Sequence, residues 1–304
     1  MSESPDKHLG LDHALAQIEE ANERVNKRAG RDLAAAVGVG LGLGAGVIIS
    51  LVVVDKAWFM LFGGLFLLGT ATVELALAFG HRNFRVPVIP IALTVIATIP
   101  VTFYFGLLWA WGVIAAGFLL TVVVQAIMSR TKAWSDVSLS DSALAGGFTL
   151  AYVLGLGAFS IALTAAPNGQ WWTLAMLILT TSADIGAFAA GVLFGKHPMA
   201  PRISPKKTWE GFAGAVVAVT VAGILIAIFT LHVPIWTGIL LGVLVLLTAT
   251  AGDLFESQLK RWIGIKDMSH WLAGHGGFLD RLDSILPSGV IVFIFYLVFT
   301  SVNV

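Results

Sequence analysis

The chain has 304 residues, of which 57% are hydrophobic and 12% are charged, and its mean hydropathy is +0.89. A soluble domain usually carries about 25% charged residues, so this composition indicates an integral membrane protein. The 18 basic and 18 acidic side chains balance, which gives no indication of nucleic-acid binding or of an acidic partner. Because the sequence contains no cysteine, disulfides, thiolate chemistry and cysteine-bound zinc are excluded.

The first 33 residues are polar and carry mixed charge, unlike the rest of the chain. Within them, Leu11, Leu15 and Ile18 recur at roughly helical spacing, with charged side chains between and after them. The pattern predicts a short cytoplasmic amphipathic helix without a catalytic part. We therefore divide the chain into this segment, 1–33, and an integral membrane domain, 34–304.

A helix needs about 20 mostly apolar residues to cross a bilayer. The stretches of that length are Ala34–Val54, Ala57–Phe79, Val86–Gly106, Leu108–Met128, Ala143–Ala165, Trp171–Gly195, Gly211–Leu231, Ile235–Ala251 and Ile285–Val302. We expect an all-α polytopic membrane protein with about nine transmembrane helices. The third and fourth spans are divided near Gly106, because a single helix over both would be too long for the membrane.

The basic residues are distributed unevenly between the two sides of this nine-span arrangement. On the side of the amino terminus lie 17 of the 18 Lys and Arg residues, and Lys56 alone lies on the other side. Cytoplasmic loops carry such an excess of Lys and Arg. We therefore expect a multi-pass protein of the inner (cytoplasmic) membrane, with a cytoplasmic amino terminus and the carboxyl terminus on the opposite side.

Two long polar loops, 196–210 and 253–284, are expected on the cytoplasmic side, where a site for a soluble charged substrate would draw from them. The second loop ends in GHGGFLDRLDS, residues 274–284. An Asp or Arg at mid-bilayer costs about 2.5–3.5 kcal/mol on an insertion scale, so lipid contact is excluded for these charges. They are expected in water, in a polar cavity or on a metal ion.

Charged residues at the start of the second loop are spaced so that they would share one face of a helix. Asp253, Glu256 and Lys260 lie at positions i, i+3 and i+7, so a helix that continues past the eighth span presents them together, with Ser257 beside them. Oxygen ligands from separate elements, without cysteine and with few histidines, suit Mg²⁺ bridged to phosphate oxygens. Further carboxylates and the basic side chains that could neutralise phosphate are Asp184, Asp280, Asp283, Lys206, Lys207, Lys260, Arg261, Lys266 and Arg281.

Simpler interpretations of several of these residues remain open. Asp184, inside the sixth span, could serve helix packing or a proton relay, although acids within a membrane are functional by default. Glu74, near the end of the second span, could simply snorkel to the interface or could have a functional role. His275 could be a turn residue, an acid or a ligand. The glycines beside it could serve tight backbone geometry, or could let N–H groups approach a phosphate.

Two blocks of sequence resemble a known family. The runs Ser257–Arg261 (SQLKR), Lys266-Asp267 and His275–Asp283 (HGGFLDRLD) are similar to the signature of CDP-diacylglycerol synthases, also called phosphatidate cytidylyltransferases. The block Asp184–Gly211 resembles the sixth span and following loop of the same family. The match is strong over roughly Asp184–Ser284 and only topological elsewhere.

The chain departs from the family pattern at three places. Ala273 stands where the family usually has a proline, and Phe188 stands where a tyrosine is expected. Met268-Ser269 replaces a more usual Ser-Gly pair. Each departure leaves the charged signature residues in place.

The resemblance implies an enzyme of phospholipid biosynthesis that joins CTP to phosphatidic acid in the membrane and releases pyrophosphate and CDP-diacylglycerol. It also implies a requirement for Mg²⁺, an assisting role for K⁺, and a homodimer. The metal ligands would be Asp253 and Asp280, with Asp283 or Glu256 as alternatives, and the catalytic residues would be Asp253, Asp280, Lys260 and Asp283. The implied substrate-binding residues are Asp184, Ser204, Lys206, Lys207, Thr208, Glu210, Ser257, Arg261, Lys266, His275, Gly276, Gly277 and Arg281.

Two other functions compete with this interpretation. A secondary transporter would use the intramembrane Asp184 as part of an ion site, but it explains the long cytoplasmic loops poorly. A CTP-dependent lipid kinase shares the substrates but would transfer the γ-phosphate of CTP and release CDP.

Overall fold

The structure, a computed structural model, describes residues 33–131, 134, 136–201, 203–272 and 276–302. The predicted amphipathic segment, apart from its last residue, and His275 lie outside these described residues. The remaining predicted site residues all lie within them.

The chain folds into long helices joined mostly by short turns. The helices before the first long loop are α1 (Leu33–Ile48, continued by a π-helical turn, Ile49–Val53), α2 (Ala57–Arg82), α3 (Val88–Phe105), α4 (Leu107–Met128), α5 (Leu139–Ala165) and α6 (Gly169–Phe194). Helix α2 contains the π-helical stretch Met60–Leu68 and ends in a 3₁₀ turn, Phe79–Arg82, and α5 contains the π-helical stretch Leu150–Gly155.

The second half of the fold begins with a β-hairpin that the sequence did not predict. Strand β1 (Pro198–Ala200) pairs antiparallel with β2 (Ser204–Thr208). The helices that follow are α7 (Trp209–Leu231, π-helical from Ala227), α8 (Ile235–Ile263), the single turn α9 (Leu279–Leu282) and α10 (Ile285–Val302).

In the described part of the chain, eight helices are long and apolar enough to cross a membrane, and α1 adds a shorter apolar stretch, Gly40–Val53. The all-α polytopic architecture is therefore confirmed. The total of nine spans and the sides on which the termini lie stay predictions.

Glycines in the left-handed region terminate two of these helices. Gly106, with φ +89°, separates α3 from α4, which confirms the predicted division. Gly264, with φ +93°, ends α8, and its N–H donates to the Lys260 carbonyl at 2.9 Å. Both conformations favour glycine because a side chain would clash with the backbone there.

The apolar interior forms two clusters. The first lies among α2, α3 and α5 and includes Met268 and Phe278 from the long second loop. The second lies among α6, α7, α8 and α10. Helices α6 and α7 pack closely, because a Cβ at Gly186 or at Gly214 would lie 2.7 Å from the carbonyl oxygen of the other glycine. This packing fixes the polar residues of α6 beside the hairpin that leads into α7.

Candidate active site

A cavity of about 180 Å³ lies between α6, the hairpin, α7, α8 and the start of α10. Its polar lining residues are Asp184, Lys206, Lys207, Thr208, Thr250, Asp253 and Ser284. The structure therefore brings the two predicted loops together with the sixth span, as expected for one site. Helix α8 runs on to Ile263, which confirms the predicted continuation that presents Asp253, Glu256 and Lys260 together.

The first charged pair of the site joins the hairpin to α8. The Lys207 ammonium forms an ion pair with Asp253 Oδ2, and the two side chains are 25% and 32% exposed. The Ser257 hydroxyl donates to the other carboxylate oxygen, Oδ1, at 3.3 Å. Both charges thus stay partly open to the cavity, where an incoming ligand can reach them.

The second charged cluster is more deeply buried. Lys260 Nζ lies 2.5 Å from Asp280 Oδ1 and 2.7 Å from Glu256 Oε2, and these three side chains are 14%, 5% and 0% exposed. Glu256 is held by this charge contact, without a regular hydrogen bond among the described residues. Burying the two carboxylates is tolerable because Lys260 offsets their charge.

Asp280 also fixes the glycine-rich turn. Its Oδ2 accepts hydrogen bonds from the Gly277 N–H at 2.7 Å and from the Met268 N–H at 3.0 Å. Gly276 has φ +77°, and a Cβ on Gly277 would collide with the carboxylate of Glu74. These contacts fit a role of both glycines in tight backbone geometry, and substrate binding by them stays a prediction.

Glu74 is buried in the fold, so the interpretation that its side chain snorkels to the interface is wrong. Helix α2 continues beyond Glu74 to Arg82. The loop between α8 and α9 folds over Glu74, so this side chain is only 1% exposed. It accepts hydrogen bonds from the Ser269 hydroxyl, from the Phe278 N–H at 3.2 Å and from the Leu279 N–H at 2.7 Å. The sequence did contain a signal for this arrangement: Glu74 is an acid inside an apolar span, and a buried carboxylate needs hydrogen-bond partners.

Asp283 approaches the first charged pair from the loop. It interacts electrostatically with Asp253, and its Oδ1 accepts from the Ser284 N–H at 2.6 Å. Its carbonyl oxygen lies so close to Gly252 that a Cβ there would clash. Helix α8 and the start of α10 therefore meet directly beside the cavity.

Asp184, on α6, is the third acidic residue beside the cavity, after Asp253 and Asp283. It is exposed to the cavity and interacts with the charges of Asp253, Lys207 and Arg281. Three carboxylates, those of Asp184, Asp253 and Asp283, are thus electrostatically linked, and cationic side chains partly offset them.

Two predicted substrate-binding residues, Thr208 and Glu210, make structural contacts within the protein. Thr208 does line the cavity, and its hydroxyl also caps α7 by accepting from the Gly211 N–H at 3.1 Å. Glu210 accepts from the backbone N–H groups of Lys196 at 3.1 Å and of His197 at 3.2 Å. These contacts hold the hairpin against the start of α7.

Other predicted residues lie away from the cavity. Ser204 pairs with Ala200 across the hairpin, and Arg261 and Lys266 are exposed on the end of α8 and the loop after it. Arg281 lines a neighbouring groove.

The donor atoms around Asp253 fit a cation that arrives together with phosphates. Within the described residues there is no group of three or more His, Asp or Glu side chains arranged to hold a metal by protein ligands alone. Mg²⁺ usually takes one or two protein carboxylates and completes its shell with water and substrate phosphates. Asp253, which is 32% exposed beside the cavity, meets that requirement better than Asp280, which is 5% exposed and accepts from Lys260, Gly277 and Met268. The expected pair of ligands, Asp253 and Asp280, stays a prediction.

The chain belongs to the cytidylyltransferase family, because a model of that family matches residues 35–299. The phosphatidate cytidylyltransferase of Mycobacterium bovis is 41% identical over 275 residues, covering 88% of this chain and 89% of that protein. That of Mycobacterium leprae is 35% identical over 310 aligned positions, covering 95% and 96%. That of Haemophilus influenzae is 38% identical over 123 residues, covering 39% and 43%. The resemblance seen in the sequence is thus confirmed.

Proposed function

We propose that this chain transfers the cytidylyl group of CTP to phosphatidate, giving CDP-diacylglycerol and pyrophosphate. The observation that carries the proposal is the cavity in which Lys206 and Lys207 face Asp184 and Asp253 in a chain of the cytidylyltransferase family. Relatives named phosphatidate cytidylyltransferase, with matches over most of both chains, support the choice of substrates.

The reaction is a direct displacement at the α-phosphorus of CTP. A phosphate oxygen of phosphatidate forms a bond to that phosphorus, the bond to the β-phosphate bridging oxygen breaks, and pyrophosphate leaves with the electron pair. Positioning and charge stabilisation suffice for such a step, so a covalent protein nucleophile is unnecessary.

The lysines of the hairpin are suited to bind the triphosphate. Lys206 is exposed, and Lys207 is held by Asp253 in the absence of ligand. A phosphate can replace the Asp253 carboxylate as the partner of Lys207, because both are anionic acceptors. Asp253 would then be free to take a cation that accompanies the nucleotide.

Lys260 and Asp280 have a supporting part in this proposal. Their ion pair links α8 to the turn that carries Gly277, so it holds the two walls of the site together. Mg²⁺, when bound, would supply positive charge that stabilises the leaving pyrophosphate. We assign Asp253 as its first ligand, with Asp283 and Asp184 adding negative charge nearby. Asp280 remains a candidate ligand, and a role for K⁺ and a homodimer stay predictions.

We also propose that the cavity faces the cytoplasm at an inner membrane. The cavity lies between the carboxyl-terminal part of α6, the start of α7, the carboxyl-terminal part of α8 and the start of α10. In the nine-span arrangement, these ends share the side that carries 17 of the 18 basic residues. A cytoplasmic opening would give the site access to CTP.

The experiment uses purified full-length protein, phosphatidate in mixed micelles, and CTP labelled at either the α or the γ phosphorus. We expect the α label in the lipid product and the γ label in pyrophosphate. The γ label in lipid would instead indicate a kinase, and a lipid fraction without either label would refute both enzyme functions. Omission of Mg²⁺ in a parallel sample tests the assigned cation.

A further inference from the structure

A second, mostly apolar groove of about 460 Å³ runs beside the active-site cavity. Its walls come from α1, α2, α6 and the start of α10, and include Ile48, Ile178 and Ile285. Ile48 and Ile178 are 51% and 37% exposed, so the groove opens to the surface that these apolar helices present to lipid. Its lining also includes the polar side chains of Thr181, Ser182 and Arg281.

Helix α1 leaves unfilled space in this groove at Gly44. A Cβ at Gly44 would have nothing within 4 Å, although the residue lines the groove. A Cβ at Gly42, two positions earlier on the same helix, also meets nothing within 4 Å, but Gly42 is not part of the groove lining. The chain thus offers a matched pair of glycines, only one of which borders the groove.

Arg281 gives the groove a cationic side chain. It is exposed and makes neither a hydrogen bond nor an ion pair with the described residues, although it interacts electrostatically with Asp184. An arginine suits a phosphate because its planar donors match two oxygens at once. The groove therefore combines a mostly apolar lining with one cationic side chain, which matches an acyl chain joined to a phosphate.

The groove and the active-site cavity are adjacent, because α6 and the segment at the start of α10 contribute lining residues to both. On α6, Ser182 lines the groove and Asp184 lines the cavity. Ile285, the first residue of α10, lines the groove, and Ser284, immediately before it, lines the cavity. A phosphate held at Arg281 would thus lie beside the carboxylates and lysines that face CTP.

We propose that this groove is the subsite for the lipid substrate: it holds an acyl chain of phosphatidate while Arg281 binds the phosphate. The inference rests on the proposed function. Gly44 sets the width of the groove, and a bulkier residue there would selectively weaken binding of long-chain phosphatidate.

The test compares Gly44→Leu with Gly42→Leu, using dioleoyl and dihexanoyl phosphatidate as substrates. We expect Gly44→Leu to raise KM for the dioleoyl lipid by about tenfold or more, because leucine occupies space that buried methylene groups would fill. KM for CTP and for the dihexanoyl lipid should stay near the parent values. Gly42→Leu should match the parent throughout, and equal KM values for the dioleoyl lipid in both variants would refute the groove.

Two further variants keep the test decisive if Gly44→Leu fails to fold. Gly44→Ala should raise KM for the dioleoyl lipid in the same direction but by less. Arg281→Gln should raise KM for both lipids, because the phosphate is common to them. An unchanged KM for both lipids in Arg281→Gln, or for the dioleoyl lipid in Gly44→Ala, would overturn the proposal.

Lipid binding without turnover separates this inference from the proposed function. Native mass spectrometry of the full chain with dioleoyl phosphatidate and without CTP should show lipid retention that Gly44→Leu reduces and Gly42→Leu preserves. Such binding without cytidylyl transfer would refute the proposed function and retain the subsite. Cytidylyl transfer with lipid retention that is independent of Gly44 would refute the subsite. A change of oligomeric state in Gly44→Leu with unchanged KM values would assign the groove to a second copy of the chain, and would also overturn the proposal.

Discussion

The carboxylate of Glu74 accepts a hydrogen bond from the backbone N–H of Leu279 at 2.7 Å, although the two residues are 205 positions apart in sequence. The contact ties the middle of α2 to the turn that immediately precedes Asp280 and Arg281. Glu74 is therefore a positioning residue: it lies outside the cavity, but it fixes the backbone from which two charged side chains of the site project.

Replacement of Glu74 by glutamine should destabilise the protein and slow turnover. The amide cannot accept from the Ser269 hydroxyl and two backbone N–H groups as the carboxylate does, so we expect a loss of about 1–3 kcal/mol in unfolding free energy. A positioning role further predicts that kcat falls more than KM for CTP rises. Thermal unfolding in detergent and steady-state kinetics measure the two effects.

Asp267→Asn is the control for that variant, because Asp267 is an acidic residue of the loop that folds over Glu74 and is outside the cavity lining. It should leave stability and kcat near the parent values. If Glu74→Gln behaved like Asp267→Asn, the assigned positioning role of Glu74 would be wrong.

Asp253→Asn and Asp280→Asn should both nearly abolish activity, but for different physical reasons. Asp253 is partly exposed to the cavity, so its variant should unfold at the parent temperature while any remaining activity needs more Mg²⁺. Asp280 is 5% exposed and paired with a buried lysine, so its removal should cost about 3–5 kcal/mol of stability. Mg²⁺ titrations and thermal unfolding of the two variants measure this contrast.

Equal stability of these two variants, with a shifted Mg²⁺ requirement in Asp280→Asn as well, would instead support Asp280 as a metal ligand. If both variants kept full activity at low Mg²⁺, the charged motif would be a structural cluster of ion pairs and not part of a metal site.

Lys260→Gln should reduce both turnover and stability. The ammonium group neutralises Glu256 and Asp280, so its loss leaves two buried carboxylates without their common partner. Lys266→Gln, on the exposed loop after α8, is the control of identical chemistry and should retain parent kinetics. Normal kinetics and stability in a correctly inserted Lys260→Gln protein would contradict this assignment.

The predicted orientation can be tested with single cysteines, because the sequence contains none. Lys266 and Pro167 are both exposed and, in the nine-span arrangement, lie on opposite sides. An impermeant maleimide should label Pro167→Cys in intact cells and Lys266→Cys only after lysis. The reverse pattern would overturn the cytoplasmic location of the site.

Much of the fold followed from apolar length and turn chemistry. The division of α3 from α4 at Gly106 and the continuation of α8 to Ile263 depend on local sequence, and both are confirmed. The hairpin between α6 and α7 was missed because its strands are short and polar, and its pairing is fixed by tertiary contacts.

The site was predicted less completely than the fold. The charged residues lining the cavity lie in the predicted blocks. Sequence spacing could not show, however, that Asp253 pairs with Lys207 whereas Asp280 pairs with Lys260. Nor could it show the partners of Glu74, since these depend on how a distant loop folds back onto α2.

The most direct measurement follows the α-phosphorus of labelled CTP into lipid, in membranes that contain equal amounts of the parent protein, Asp253→Asn or Asp267→Asn. The parent and Asp267→Asn should produce labelled CDP-diacylglycerol and release pyrophosphate, whereas Asp253→Asn should produce almost none. Label that enters lipid only from the γ position, or a rate in Asp253→Asn equal to the parent rate, would contradict cytidylyl transfer at this cavity.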